Sequence, residues 1–78
     1  MKVEIYSRNL CGYCSAAKKL LDQHSISYTE YMIDEDSSHK QKLFEQVPNA
    51  RTVPQVIIDG KVIGGFTELR EWIINYPE

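Results

Sequence analysis

The 78-residue sequence predicts one α/β domain, residues 1–78, with a four-stranded mixed sheet flanked by three helices in the order β-α-β-α-β-β-α. Two observations support this prediction. Short runs of β-branched and aromatic residues alternate with stretches of helical apolar periodicity, and the dipeptide Asp59-Gly60 separates two strand-like runs, as in a tight β-hairpin. A right-handed parallel crossover followed by an antiparallel hairpin gives a mixed sheet with helices on both faces.

The first half of the chain is predicted as strand, helix, strand. Residues 3–6 form a short strand-like run, and a helix is predicted to begin at or just after Cys11. A second strand is predicted over residues 26–33, where a run of acidic residues ends it. The apolar positions of the helix follow the i, i+3, i+4, i+7, i+8 pattern of one buried stripe: Tyr13, Ala16, Ala17, Leu20 and Leu21.

The second half is predicted as a helix, a hairpin and a last helix. Ser38 and Gln41 have the spacing of a capping box for the second helix, which stops at the next proline. The hairpin strands are predicted over residues 53–58 and 61–63, joined by a two-residue type I′ turn. Thr67 is predicted to be the N-cap of the last helix, whose inward-facing residues are Leu69, Trp72, Ile73 and Tyr76.

The composition restricts the function classes. The hydrophobic content of 42% and the charged content of 26% are those of a globular domain. Nine basic and eleven acidic side chains give a net charge of −2, whereas nucleic-acid binding needs a clustered basic excess, so no nucleic acid is expected as a partner. The sequence has no apolar run long enough for a signal peptide or a membrane span, so no membrane partner is expected.

The two cysteines are too close together to brace the fold. A disulfide between Cys11 and Cys14 closes a four-residue loop, which removes little entropy from the unfolded chain. Structural zinc needs more ligands at suitable spacing, and His24 and His39 lie fifteen residues apart, so no metal site is expected. A cytoplasmic location is the default, and there thiols are kept reduced, so a close cysteine pair indicates redox chemistry.

The run Cys11-Gly12-Tyr13-Cys14 lies between a predicted strand and a predicted helix, which is the setting of a redox-active C-x-x-C motif. At a helix N-terminus the free N–H groups and the positive dipole end stabilise a thiolate, so we expect a lowered pKa for Cys11. Cys14, one turn further along, is expected to be less exposed. Cys11 would then attack a disulfide, and Cys14 would resolve the mixed disulfide.

Other interpretations of the same residues are open at this stage. The cysteines could be ordinary half-buried apolar residues, or they could bind a metal with ligands from outside the chain. Arg8 suits either a solvated loop position or a carboxylate clamp. Gly64-Gly65 suits either a flexible turn or close approach of a carboxylate to a helix N-terminus. Base rates alone favour a trans peptide bond before Pro54.

Taken together, four motifs resemble those of the glutaredoxin family. They are Tyr6-Ser7-Arg8, the C-x-x-C run, residues 50–55 (Ala-Arg-Thr-Val-Pro-Gln) and residues 63–69 (Ile-Gly-Gly-Phe-Thr-Glu-Leu). The resemblance covers nearly the whole chain, and the order and spacing of the motifs are specific. It implies a thioredoxin fold, glutathione as the reducing co-substrate and a cis peptide bond between Val53 and Pro54.

The resemblance also implies a glutathione site between the cysteines and the last helix. Arg8 and Gln46 would meet the glycyl carboxylate. Val53 would pair with the cysteinyl backbone in the manner of an added strand, and the N–H groups of Phe66 and Thr67 would receive the glutamyl carboxylate. The complete set of expected glutathione-binding residues is Arg8, Tyr13, Gln46, Thr52, Val53, Pro54, Gly65, Phe66 and Thr67.

The sequence departs from the family pattern at two positions. Most dithiol members have proline where this chain has Gly12, and some members without that proline hold a [2Fe-2S] cluster between two subunits. The resemblance therefore implies a possible cluster ligated by Cys11 of each subunit and two glutathiones. Many members have aspartate where this chain has Thr67. Its absence removes a carboxylate that could pair with the glutathione amino group, which predicts weaker glutathione binding.

The expected function is therefore a glutathione-dependent thiol-disulfide oxidoreductase. Its expected partners are glutathione and disulfide-containing or glutathionylated proteins, and a monomer is expected. A redoxin reduced by thioredoxin reductase, an iron-sulfur dimer and a non-catalytic binding module are the alternatives. Because the cysteine pair does not brace the fold, replacing a cysteine is expected to affect activity far more than folding.

Overall fold

The computed structural model describes residues 1–76, and it contains four strands and three helices in the predicted order. Residues 77 and 78 of the predicted domain lie outside the described part. The elements are β1 (Val3–Ser7), α1 (Gly12–Gln23), β2 (Thr29–Met32), α2 (Ser37–Gln46), β3 (Gln55–Ile58), β4 (Lys61–Gly64) and α3 (Phe66–Ile74). None of the helices in the described residues is long and apolar enough to span a membrane.

The four strands form one mixed sheet in the order β2-β1-β3-β4. Strands β1 and β2 are parallel, with Ser7 opposite Met32, whereas β1 with β3 and β3 with β4 are antiparallel. The parallel pair is joined through α1, as a crossover requires. This arrangement confirms the predicted thioredoxin fold.

The hairpin between β3 and β4 is confirmed. Asp59 and Gly60 have φ angles of 51° and 80°, and positive φ at both central positions defines the type I′ turn. Ile57 lies opposite Val62, and Val56 lies opposite Gly64, so Ile63 is the extra residue of a β-bulge.

Each face of the sheet has its own hydrophobic cluster. On one face, side chains of α1 and α3, including Leu21 and Leu69, pack against Ile5 and Val56 of the sheet. On the other face, Leu43 of α2 packs with residues that include Tyr6 and Ile57. The predicted layers are therefore confirmed, and the helix that carries the cysteine pair is held against the sheet by buried apolar side chains.

Two predicted helix starts are wrong. The N-cap of α2 is Asp36 and not Ser38, because the Asp36 carboxylate accepts hydrogen bonds from both the backbone N–H and the hydroxyl of Ser38. The N-cap of α3 is Gly65 and not Thr67, and Oε1 of Glu68 accepts the Gly65 backbone N–H at 2.8 Å.

The sheet strands also differ from the prediction at five ends, and two of these are one-residue extensions of β1 to Ser7 and of β4 to Gly64. Strand β2 begins at Thr29 and not at residue 26, because the Ile26 backbone N–H donates to the Leu21 carbonyl and completes the end of α1. Strand β2 ends one residue earlier than predicted. Strand β3 begins at Gln55, after the cis peptide bond between Val53 and Pro54 that the resemblance implied.

Two aromatic side chains predicted to face inward are exposed. Tyr13 is 69% exposed, and Tyr76 is 40% exposed and stacks on Trp72 with 4.7 Å between ring centroids. Tyr13 lies in the first turn of α1, and Tyr76 follows the end of α3.

Candidate active site

The two cysteines occupy the first turn of α1, with clearly different burial. Cys11 is the N-cap, has an extended backbone and is half-buried, whereas Cys14 is 1% exposed. The Cys14 backbone N–H donates to Cys11 Sγ at 3.2 Å. The cysteines are joined as a disulfide, with their Cα atoms 5.2 Å apart, so the structure shows the oxidised form of the pair.

A polar network anchors α1 to the sheet below the cysteines. Nζ of Lys18 on α1 lies 2.7 Å from Oε2 of Glu30, and the buried hydroxyl of Ser7 donates to the same oxygen at 2.6 Å. Burial acts to raise the pKa of Glu30, but the hydrogen bonds from Lys18 and Ser7 outweigh it and lower that pKa below its ordinary value of 4.5. Lys18 is itself partly buried in this network.

The loop before β3 faces the Cys11 sulfur. Cys11 Sγ lies 3.8 Å from the backbone carbonyl oxygen of Val53. Val53 lies outside the sheet strands and its backbone forms no backbone hydrogen bond with the rest of residues 1–76. The peptide groups of Val53 are therefore available to an extended ligand beside the reactive sulfur.

A groove of about 300 Å³ runs from this loop to the start of α3. Its aromatic wall consists of Tyr13 and Phe66, whose ring centroids are 6.0 Å apart. The structure brings seven of the nine expected glutathione-binding residues into this groove, and Glu68 lines it as well. The seven are Tyr13, Thr52, Val53, Pro54, Gly65, Phe66 and Thr67.

The far end of the groove is the N-terminus of α3. The first backbone N–H groups of a helix have no intrahelical partner, and the helix dipole is positive there, so this end suits an anionic group. Gly64, just before it, has a φ angle of +123°. A Cβ atom at Gly64 would come within 2.9 Å of Cγ of Glu68, so the turn has no room for a side chain.

Arg8 lies at the other end of the site, in a second cavity of about 390 Å³ that shares Thr52 and Val53 with the groove. We call this second cavity the cationic cleft. Its charged lining residues are Arg8, Lys40 and Arg51, and its apolar lining residues include Ile33, Leu43 and Phe44. Sequence reasoning found Arg8 but missed Lys40 and Arg51. For Lys40 the available signal was its helical spacing from Leu43 and Phe44, whereas Arg51 lies within the family motif of residues 50–55.

Gln46, the ninth expected residue, lines neither cavity. Its Nε2 atom donates to the hydroxyl of Tyr6 at 2.7 Å. Tyr6 is fully buried and stacks on Tyr31, with 5.0 Å between the ring centroids. Burial raises the pKa of Tyr6, so its hydroxyl stays protonated, and Gln46 serves in this structure as its hydrogen-bond partner.

The described residues 1–76 contain no group of three or more His, Cys, Asp and Glu side chains that could hold a metal ion. Cys11 is partly accessible, whereas Cys14 is buried. A cluster bound at Cys11 would therefore take its remaining ligands from outside this chain.

Comparisons with known proteins agree with this geometry. The glutaredoxin family model matches residues 3–63. A probable glutaredoxin of Synechocystis sp. is 38% identical over 68 residues, which are 87% of this chain and 62% of that protein. Glutaredoxin 3 of Escherichia coli is 37% identical over 67 residues, covering 86% of this chain and 80% of that protein.

The solved structures include a complex of buckwheat glutaredoxin with glutathione. It superposes on this chain with a TM-score of 0.80 and 37% identity, covering 94% of this chain and 68% of the buckwheat chain. The family model, the curated relatives and the superposed structure are all glutaredoxins, and the cysteine pair at the start of α1 fits a dithiol member of that family. The chain therefore belongs to the glutaredoxin family of glutathione-dependent thiol-disulfide oxidoreductases.

Proposed function

We propose that Cys11 is the nucleophile of this oxidoreductase and that Cys14 is the resolving thiol. The observation that supports this most strongly is the different burial of the two sulfurs at one helix N-terminus. The half-buried Cys11 is accessible to a substrate, and its thiolate would receive the Cys14 backbone N–H. Cys14 is buried and can reach only Cys11 without local rearrangement.

Two reactions follow from this division. In the first, the Cys11 thiolate attacks a protein disulfide, forms a mixed disulfide and releases one client thiolate. Cys14 then attacks Cys11, which releases the second client thiolate and leaves the Cys11–Cys14 disulfide. Two molecules of glutathione return the pair to the dithiol and become glutathione disulfide. In the second reaction, the Cys11 thiolate attacks the glutathione sulfur of a glutathionylated protein, so the Cys11–glutathione disulfide forms and the protein thiolate leaves. A second glutathione then attacks that disulfide, which regenerates the Cys11 thiolate and releases glutathione disulfide.

We place glutathione along the groove with its sulfur at Cys11. The γ-glutamyl carboxylate would lie at the N-terminus of α3, the cysteinyl backbone would pair with Val53, and the glycyl carboxylate would meet Arg8. Gln46 is bonded to Tyr6 and would have to leave that partner to take part. A tripeptide with an anionic group at each end matches a site with a helix N-terminus and an arginine at opposite ends.

The source of electrons tests the proposal. Turnover of a glutathionylated protein should require glutathione and its reductase, and it should not be supported by thioredoxin reductase alone. Arg8→Gln should raise the KM for glutathione while leaving kcat nearly unchanged, because Arg8 binds a part of glutathione that does not react. Turnover with thioredoxin reductase alone would contradict the proposal.

A [2Fe-2S] dimer is a second candidate role that the family suggests. Gly12 leaves open space next to Cys11, since a Cβ atom there would meet no other atom within 4 Å. The cluster would be ligated by Cys11 of two chains and by two glutathiones. Anaerobic purification with glutathione should then give brown dimeric protein. Colourless monomer under these conditions would argue against this role.

We infer that the protein works as a monomer in a reducing compartment such as the cytoplasm. The pair must return to the dithiol state in every cycle, and this requires a pool of reduced glutathione. Disulfide-containing and glutathionylated proteins would be its clients. Sedimentation of the reduced protein tests the monomer, and trapping with the Cys14→Ser variant in a cytoplasmic extract tests the clients by identifying proteins joined to Cys11.

A further inference from the structure

The cationic cleft has features that glutathione cannot use. Glutathione ends at its glycyl residue, which has no side chain, yet the cleft that Arg8 lines also has an apolar lining formed by Ile33, Leu43 and Phe44. Leu43 is buried, whereas Phe44 is 41% exposed. An exposed aromatic ring beside a buried leucine offers apolar surface to a ligand with a side chain of its own.

The charge of the cleft is also larger than one carboxylate requires. Arg8, Lys40 and Arg51 all line it and no acidic side chain does. Within residues 1–76, none of these three cations forms an ion pair. The whole chain carries a net charge of −2, so this cluster is a local feature. A cluster of this kind attracts an acidic ligand and selects against a basic one.

We propose that the cationic cleft binds the residues that follow the reactive cysteine of a protein client, and that it prefers an apolar side chain with acidic side chains after it. This inference rests on the proposed function, because it assumes that a client cysteine occupies the position of the glutathione cysteine. In the proposed orientation of glutathione, its glycyl end points to Arg8. A client chain has no terminal carboxylate there and continues into the cleft beyond it.

The chemistry of the client step adds no new reactant. In the Cys14→Ser protein, the Cys11 thiolate attacks the symmetric disulfide of two peptide molecules, so the Cys11–peptide disulfide forms and one peptide thiolate leaves. Glutathione thiolate then attacks Cys11 Sγ, so the Cys11–glutathione disulfide forms and the peptide thiol is released. One disulfide bond is broken and one is formed, with no net oxidation. The equilibrium constant of this exchange compares the peptide with glutathione at the same sulfur.

The test uses the full chain with Cys14→Ser and three synthetic peptides with a single cysteine. In the first, the cysteine is followed by leucine and two glutamates. The second has glutamines in place of the glutamates, and the third has serine in place of the leucine. We expect the first peptide to be retained on Cys11 about five- to tenfold more strongly than either of the others. Added salt should reduce its advantage over the glutamine peptide.

Two cleft variants and two matched controls complete the test. Lys40→Gln should reduce the advantage of the glutamate peptide, and Phe44→Ala should reduce the advantage of the leucine peptide. Lys61→Gln removes an exposed cation on β4, and Ile74→Ala removes an apolar side chain that is 68% exposed on α3. Neither control residue lines the cleft, so both controls should keep the full preference.

The experiment distinguishes failure of the cleft proposal from failure of the proposed function. Equal constants for the three peptides, with normal formation of the Cys11–glutathione disulfide, would overturn the inference and leave the proposed function intact. A protein that forms no mixed disulfide with glutathione would contradict the proposed function itself. Concentration-dependent dimers that Phe44→Ala abolishes, measured by sedimentation, would show that a second copy of the chain occupies the cleft, and would also overturn the inference.

Discussion

The backbone N–H of Cys14 lies 3.2 Å from Cys11 Sγ, so the sulfur of the first cysteine caps the helix that carries the second. Serine, threonine and aspartate oxygens usually accept this N–H at a helix start. Here the acceptor is a sulfur atom, and it accepts more strongly when it is a thiolate. The hydrogen bond that starts α1 is thus also one that stabilises the proposed nucleophile.

This arrangement predicts opposite results for the two cysteine variants. Cys11→Ser should reduce both disulfide reduction and deglutathionylation to the background rate, because no thiolate remains at the accessible position. Cys14→Ser should lose turnover of protein disulfides and keep deglutathionylation, since that reaction uses Cys11 alone. Coupled assays with glutathione and its reductase, one for each substrate type, measure both results. Activity in Cys11→Ser would contradict the assignment.

The Cys11→Ser variant should fold normally. Serine at residue 11 can accept the Cys14 N–H as an N-cap, so we expect thermal unfolding under reducing conditions within a few degrees of the wild-type midpoint, which corresponds to about 1 kcal/mol or less. Circular dichroism measures this midpoint. A much larger loss would show that Cys11 is a structural residue and that its activity assay reports unfolding.

The Lys18–Glu30–Ser7 network predicts a pH-dependent contribution to stability. The pKa of Glu30 is lowered in the folded protein. Its contribution is therefore present at neutral pH, where the carboxylate is charged in both states, and is lost as the pH falls below about 4.5 and through the lowered folded pKa. Glu30→Gln should cost about 1 to 2 kcal/mol at pH 7 and much less at low pH.

Urea unfolding at a series of pH values measures this difference. Glu45→Gln is the matched control, because Glu45 is exposed on α2 and forms no ion pair within residues 1–76. Its effect on the free energy of unfolding at pH 7 should be small, because the side chain is exposed. A Glu30→Gln cost that stays constant from neutral to acid pH would assign the loss to packing and not to charge.

The elements most easily predicted were those with strong local signals. Asp59-Gly60 alone specifies the hairpin, because both residues must adopt positive φ. The helix starts were harder to predict, since several residues near each start can act as a cap. Ser38 and Thr67 both had suitable side chains, yet Asp36 and Gly65 hold these positions.

In the candidate site, too, the residues that lie close together in the sequence were easier to predict than those that only the fold brings together. The C-x-x-C run and Arg8 lie within one short segment, so the sequence alone indicated them. The cationic cleft joins Lys40 on α2 with Arg51 in the loop before β3, and no local pattern places these two residues together. The hydrogen bond between Gln46 and Tyr6 could not be predicted for a related reason, because Tyr6 lies forty residues away on β1.

The crowded turn before α3 predicts a strong effect of a single added methyl group. Gly64 has a φ of +123°, and a Cβ atom there would lie 2.9 Å from Cγ of Glu68. Gly64→Ala should destabilise the protein by about 1 to 3 kcal/mol, and it should raise the KM for glutathione by shifting the start of α3. Thermal unfolding and steady-state kinetics measure the two effects.

Gly12→Ala is the matched control for this variant. A Cβ atom at Gly12 would meet no other atom within 4 Å, and Gly12 is the first residue of α1. Alanine favours a helical conformation over glycine by up to about 1 kcal/mol, so this variant should be as stable as the wild type or slightly more stable. Equal destabilisation by both variants would show that the close contact at Glu68 does not determine the outcome.

The groove beside α3 predicts that glutathione binding can be strengthened at residue 67. Thr67 lines the groove and is exposed, and an aspartate there would add a carboxylate that can pair with the glutathione amino group. Glu68 also lines the groove, but its Oε1 atom accepts the Gly65 backbone N–H. Thr67→Asp should lower the KM for glutathione about two- to fivefold, the range expected for one exposed ion pair.

The kinetics of Thr67→Asp should be compared with those of Thr67→Asn at low and high salt. Asparagine matches the shape of aspartate without its charge, so it should leave the KM close to the wild-type value. The gain with aspartate should shrink as salt is added, because salt screens exposed charges. An equal gain from both variants would point to a better helix start, and an unchanged KM with aspartate would show that the amino group of glutathione does not lie beside residue 67.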